Sequence, residues 1–318
     1  MSDVFTAFCE YLATARGASP HTLSAYKSDI KSFIQFIGGT ANITHIGPQK
    51  VEDFLAALAT QKGSPYSSKS KPQKPLKGRS LARKLTSLRQ FYAFLLDRGW
   101  ATHNPTDGIP LPKSATPLPK ALSQQDIEKL INSPTGTTPQ QQRLRLILQL
   151  LYATGLRVSE LCSLTLEAVT EGEGLILRVT GKGQKTRLVP IGYAASATLT
   201  AYLQTARPHL KGHHGPWLFP APNGKHPLTR QRIFQLIQNA GKSIGISVAP
   251  HHLRHTFASH LVANDADLRS VQLMLGHASL NTTQIYTKIS HNRLTQTLEK
   301  HHPLSIGKPS LPKRHKPL

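Results

Sequence analysis

The stretch PHHLRHTFASH, residues 250–260, holds four histidines and one arginine. His251 and His255 stand four apart, the spacing at which two imidazoles on one helical face can share a metal ion. Arg254 lies between them, and a guanidinium repels a cation. Pro250 suits the first position of a helix, which puts His251 and Arg254 on one face within the first turn or so. A helix start projects free N–H groups and a positive dipole, and both favour an anion. A metal site would also want a carboxylate nearby, yet no acid occurs between residues 174 and 265. The residues therefore favour phosphate, with no metal ligand set. Packing or surface histidines are the plainer alternative.

Other candidates are weaker taken singly. In LYATGLRVSELCSL, Arg157 follows Gly155 at a break in a buried stretch, and Glu160 three residues on could orient it. An isolated Arg-x-x-Glu pair is more often a structural ion pair. Lys182, in the turn GKGQK, would alone be an ordinary solvated lysine. LGHASLNTTQIYTKI sets His277 beside Gly276 and places Tyr286 in a short helix capped by Asn281, with Gln284 at its third position. A lone helical tyrosine is usually core.

The elements that must carry these residues are mostly helical. From Pro20, with Ser19 as cap, the apolar stripe Leu23, Tyr26, Ile30, Phe33, Ile37 runs to the stop Gly38-Gly39. A further helix starts near Pro48 and buries Val51, Phe54, Leu55 and Leu58. The next, from about Arg79 to Arg98, repeats Leu81, Leu85, Leu88, Tyr92 and Leu95. Arg79, Arg83, Thr86 and Gln90 fall opposite that stripe, where phosphate contact competes with plain solvation. Residues 62–78 carry five lysines and no acid among Pro, Ser and Gly. They read as a flexible basic loop, with Lys74 and Lys77 as DNA-binding candidates. NPTDGIPLPKSATPLPK, residues 104–120, reads as an extended linker. After it come a helix capped by Ser123, a buried helix over 141–153, a hairpin of 174–180 with 186–191, and further helices. A Pro/Lys-rich tail, 303–318, should be disordered. The expected domains are 1–103 (helical), 104–120 (linker) and 121–302 (mostly helical with one small sheet).

Charge narrows the function. Thirty-nine Lys and Arg against 16 Asp and Glu leave a formal +23, an excess that a polyanion such as nucleic acid would neutralise. No run approaches the ~18 apolar residues of a membrane helix, so no membrane insertion is expected. The start MSDVFTAFCEYL lacks a signal-peptide pattern, which points to the cytoplasm. Cys9 and Cys162 are too few and too far apart for a disulfide framework or a cysteine-based zinc site.

Together, ATGLRVSEL, GKGQKTRLVPI, HHLRHTFASHL and LGHASLNTTQIYT, in this order and spacing, resemble the four signatures of the tyrosine recombinase (phage-integrase) family, nearest its XerC/XerD branch. The resemblance covers about residues 2–302, and the stretch IYTKISHNRLTQTLEKHHPL leans to the XerD side. It implies a mainly α fold with a small β-sheet in the catalytic domain, preceded by a SAM-like helical core-binding domain, the two forming a C-shaped DNA clamp. It further implies that Arg157, Lys182, His251, Arg254 and His277 activate a phosphate and that Tyr286 is the nucleophile. The chemistry agrees with the residue types. Phosphodiester transfer builds charge on nonbridging oxygens that two guanidiniums can clamp. A phenol with pKa about 10 is only ~0.1% ionised at pH 7, so it needs cationic neighbours and a proton acceptor, the role His251 could take. Lys182 could protonate the leaving 5′-oxygen and His277 hydrogen-bond the phosphate. A 3′-phosphotyrosine conserves the bond energy, so neither ATP nor a cofactor is needed.

By the same resemblance the partners would be double-stranded DNA at a dif-like site, a XerC-like recombinase in a heterotetramer, and a septal DNA translocase, with chromosome-dimer resolution at the nucleoid as the role. The rivals are a mobile-element integrase or a type IB topoisomerase-like enzyme, and, from another class, a non-catalytic DNA-binding protein. Two features depart from the family pattern: the length of loop 62–78 and the tail beyond Pro303.

Overall fold

The computed structural model describes residues 2–15, 18, 20–39, 43–60, 75–112, 121–172, 174–181, 186–276 and 288–305. The chain divides into two compact units, Met1–Leu118 and Pro119–Leu318.

In the first unit four helices, α1 (Ser2–Thr14), α2 (Pro20–Phe36), α3 (Pro48–Thr60) and α4 (Gly78–Asp97), close around an aromatic core. The α2 stripe points inward, with Ile30 and Phe33 fully buried, and α4 buries all five residues of its repeat. Phe8 meets Phe91 edge-on at 5.1 Å, and the Tyr92 hydroxyl donates to the Ile43 carbonyl at 3.0 Å. Ser19 and residues 61–74, which include Lys74, lie outside the described residues; Leu76 donates to Leu58 O at 3.1 Å.

The expectation of an extended linker from residue 104 is corrected. Asn104 accepts from the Thr106 backbone and hydroxyl at 3.1 and 2.7 Å, closing a tight turn. Thr106 is fully buried, Ile109 joins the helical core, and Arg89 donates to the Ile109 carbonyl. Proline content marked this segment as non-helical; it did not mark it as solvated. Residues 113–120 lie outside the described residues.

The second unit is built on α6 (Pro139–Thr154), buried at every position from Leu146 to Thr154. Such a helix must be covered on all sides, and α5 (Gln124–Asn132), α8 (Tyr193–Ala201), α9 (Arg230–Ser243) and α10 (Pro250–Ala263) pack against it. Ser123 caps α5, its hydroxyl accepting from Asp126 N at 3.1 Å. Short α7 (Val158–Cys162), α11 (Leu268–Leu275) and α12 (Lys288–His301) complete the α-helices among the described residues. The sheet has three antiparallel strands rather than the hairpin alone: β1 (Val169–Gly172), β2 (Gly174–Thr180) and β3 (Thr186–Pro190), in that order. Leu177 and Val179 of β2 pair with Val189 and Arg187 of β3. All four are buried, so Arg187 lies among the apolar residues of the sheet's core face.

Candidate active site

Two helices end on left-handed glycines, and those ends frame the site. α6 stops at Gly155 (φ 61°) and α11 at Gly276 (φ 67°). A side chain at Gly155 would put its Cβ 2.5 Å from the Phe257 ring, so only glycine allows the chain to turn there. The turn frees carbonyls that the arginines then take. Arg254, in the second turn of α10, donates to Gly155 O at 2.6 Å and to Leu275 O at 2.7 Å. Arg157, at the N-cap of α7, reaches the same Leu275 carbonyl at 3.5 Å. The two guanidiniums, 97 positions apart in sequence, thus meet at one backbone oxygen.

Glu160 is the acid of this group and is 3% exposed. Its carboxylate accepts from the Arg157 backbone N–H at 2.8 Å and from the Arg157 guanidinium at 3.0 Å. Arg187 grips the same carboxylate with both terminal nitrogens, at 2.9 and 3.0 Å, and donates from Nε to Met274 O at 3.1 Å. Burial alone would raise the Glu160 carboxyl; the hydrogen bonds and charge of Arg187, with those of Arg157, outweigh it and hold the group below its ordinary value. Arg254 is pushed down to about 10, first by burial and then by the charge of Arg157. It stays protonated at neutral pH. Three guanidiniums around one carboxylate leave a surplus of two positive charges, which an anion would relieve. The Arg157 side chain is 44% exposed and so reachable from solvent.

Of the residues read from sequence, the fold brings Arg157 and Arg254 together. Pro250 heads α10 as expected, and His251 is exposed in its first turn, its ring edge-on to His252 at 4.2 Å. Lys182, His277 and Tyr286 lie outside the described residues, as do Asn281 and Gln284. His260 belongs to packing: its Nδ1 pairs with the Tyr152 hydroxyl at 2.8 Å. Among the described residues no three His, Cys, Asp or Glu side chains gather as a metal ligand set. Sequence reading missed Arg187. The only hint was a charged residue two positions before Val189, on the same face of β3.

On α4 one residue of the basic face is paired within the protein. Arg79 and Lys77 are exposed, but Arg83 is not a free cation. Its guanidinium grips Asp29 with both nitrogens, the second at 2.9 Å. Lys84 adds a contact at 3.0 Å and Ser87 one at 2.9 Å. Asp29 is 1% exposed, and a buried carboxylate must be paired.

Comparison with known proteins shows the family of the chain. Residues 120–293 match the Phage integrase family and residues 5–99 match the Phage integrase, N-terminal SAM-like domain. The chain belongs to the phage integrase family, and its class is the tyrosine recombinases, site-specific DNA strand-exchange enzymes. Among curated relatives it is 40% identical over 300 residues to Tyrosine recombinase XerD of Pseudomonas aeruginosa, covering 93% of this chain and 96% of that one. It is 38% identical over 310 residues to Tyrosine recombinase XerD of Listeria monocytogenes, covering 95% and 99%. Among solved structures the fold is similar to XerH site-specific recombinase bound to palindromic difH substrate, with TM-score 0.65, 22% identity and coverage of 92% and 83%. No helix among the described residues is long and apolar enough to cross a membrane.

Proposed function

We propose that this recombinase resolves chromosome dimers at the nucleoid, acting on a dif-like site in a heterotetramer with a XerC-like partner and under the control of a septal DNA translocase. The XerD names of the relatives support this reading, as does a 38% identical Tyrosine recombinase XerC of Oceanobacillus iheyensis, which belongs to the pairing invoked. The observation that carries the chemistry is the convergence of Arg157 and Arg254 on one carbonyl, with surplus positive charge and one exposed guanidinium.

In the proposed reaction the Tyr286 oxygen attacks the scissile phosphorus and passes its proton to His251. The bond to the 5′-oxygen breaks, and Lys182 protonates that oxygen as it leaves. Arg157 and Arg254 hold the nonbridging oxygens, and His277 adds a hydrogen bond. The product is a 3′-phosphotyrosine and a free 5′-hydroxyl; attack by another 5′-hydroxyl reverses the steps and releases Tyr286. Arg79, Lys77 and Lys74 would contact the DNA backbone.

The test is covalent trapping on nicked dif-like DNA, with and without a XerC-like protein. Wild type should give a protein–DNA adduct on a denaturing gel, and Tyr286→Phe should give none while binding DNA with nearly unchanged affinity. An adduct from the Phe variant rejects Tyr286. Complete recombination by this chain alone rejects the heterotetramer.

A further inference from the structure

We propose that Arg187, which lies outside the six residues marked by the family resemblance, is a positioning residue for strand cleavage: it neutralises Glu160, so that Arg157 is left for the substrate, and it ties the base of the β2–β3 hairpin to the end of α11. The inference rests on the reading of Arg157 and Arg254 as the phosphate clamp.

Arg187 does not meet DNA itself, since its side chain is 7% exposed. Three of its five donors are spent on protein: Nη1 and Nη2 fork onto the two oxygens of Glu160, and Nε holds Met274 O. A buried carboxylate that loses this fork keeps only Arg157. Arg157 would be drawn inward to satisfy the stranded oxygens, and the surplus charge that recruits a phosphate would fall from two to one. The half-exposed posture of Arg157 therefore depends on a residue that never touches substrate.

The second part of the role is geometric. Arg187 pairs across the sheet with Val179, and the next pair, Thr180 with Thr186, is the last before the segment that contains Lys182. The fork is thus anchored one pair from the end of the β2–β3 ladder. At the other end the guanidinium lies flat against Gly276, where an added Cβ would sit 3.1 Å from its Cζ and Nη1. Gly276 is the residue that precedes His277 in the sequence. One buried side chain joins the strand before the α8 region, the α7 cap and the α11 exit.

A plain buried ion pair makes a different prediction. Such pairs serve stability alone when both partners can be replaced without loss of function. The experiment measures single-turnover cleavage of nicked DNA at saturating protein, DNA affinity, and thermal midpoint for wild type, Arg187→Gln, Arg187→Lys and the double variant Glu160→Gln with Arg187→Gln. Arg187→Gln should lower the cleavage rate by about 100-fold, the scale set by displacing a positioned group by about 1 Å, with affinity within about twofold of wild type. Arg187→Lys keeps the charge but not the fork, and should fall between the two. The double variant removes the stranded carboxylate charge and should cleave at least about tenfold faster than Arg187→Gln. If Arg187→Gln is poorly folded, the lysine and double variants carry the comparison. A wild-type rate for Arg187→Gln, or a double variant no faster than the single, overturns the inference. Absence of an adduct from wild type itself overturns the clamp reading beneath it, so the two failures are distinct.

Discussion

At the residue scale the site is a contest between arginine and its acceptors. Arg254 uses two donors on the carbonyls of Gly155 and Leu275, which fix the guanidinium and leave three for a ligand. Arg254→Ala should therefore cost about 3–4 kcal/mol of transition-state stabilisation, the scale of losing an oxyanion donor. Single-turnover cleavage checks this, with thermal midpoint recorded to separate the effect of the missing carbonyl bonds. Cleavage by wild type should be unchanged in EDTA; chelator sensitivity reversed by zinc would revive the histidine-metal alternative at residues 251 and 255. Lys182 answers to a different substrate change. An alkoxide needs a proton on leaving, whereas a thiolate, with parent thiol pKa near 8.5, needs little help. Lys182→Ala should be severely slow on ordinary DNA and largely rescued on a 5′-thio substrate. Arg157→Ala should not be rescued, because in the proposed reaction its charge acts on nonbridging oxygens in both. Equal Lys182→Ala defects on the two substrates would leave the general acid unassigned.

At the element scale, α12 is fastened to the buried core by the two residues at its end. His302 is 2% exposed, with Nε2 on Tyr152 O at 3.2 Å and Leu304 N–H donating to Nδ1 at 3.2 Å. Nδ1 is thus an acceptor and Nε2 the donor, a neutral ring. Its Tyr152 neighbour lies 4.7 Å away, and Asn264 Nδ2 holds the His301 carbonyl at 2.8 Å. Burial, only partly offset by the Tyr152 carbonyl, pushes His302 down to about 4. His260 is lowered in the same direction by burial. The unfolded chain binds this proton near pH 6.5 and the folded chain only near 4, so stability is full above 6.5 and is lost as pH falls through that window. His302→Gln should be less stable than wild type at pH 7.5. Between pH 7.5 and 5 it should lose about 2 kcal/mol less than wild type. Denaturant unfolding at the two pH values checks this, and parallel losses would place the titration elsewhere. The mechanical stake is that α12 is the first described element after the segment holding Tyr286.

At the scale of the whole molecule, charge dominates. A formal +23 over 318 residues must be compensated by DNA phosphates or salt. Residues 64–74 supply Lys69, Lys71 and Lys74, while Leu76 is tied to Leu58. Deleting 64–74 therefore spares the packed start of α4. It should flatten the dependence of log affinity on log salt by about 0.9 for each phosphate these lysines neutralise, up to about 2.7 for three, without changing the preferred sequence. A titration of DNA affinity against salt measures it; an unchanged slope would show that these lysines do not meet DNA.

The sequence by itself determined what depends on neighbours in the chain. Helical periods marked α2, α3 and α4, Pro250 marked the start of α10, and four short motifs in order identified the family and its strand-exchange chemistry. Those signals are local because helix caps, apolar stripes and motif spacings span only a few residues. Tertiary structure decided the charge pairing. Asp29 takes Arg83 from 54 positions away, Glu160 takes Arg187 from 27, and the Leu275 carbonyl joins Arg157 to Arg254. No period encodes such partners. A surplus arginine looks the same in sequence whether it will meet DNA or a buried carboxylate, and the choice is made by which backbone turns and acids the fold leaves without water.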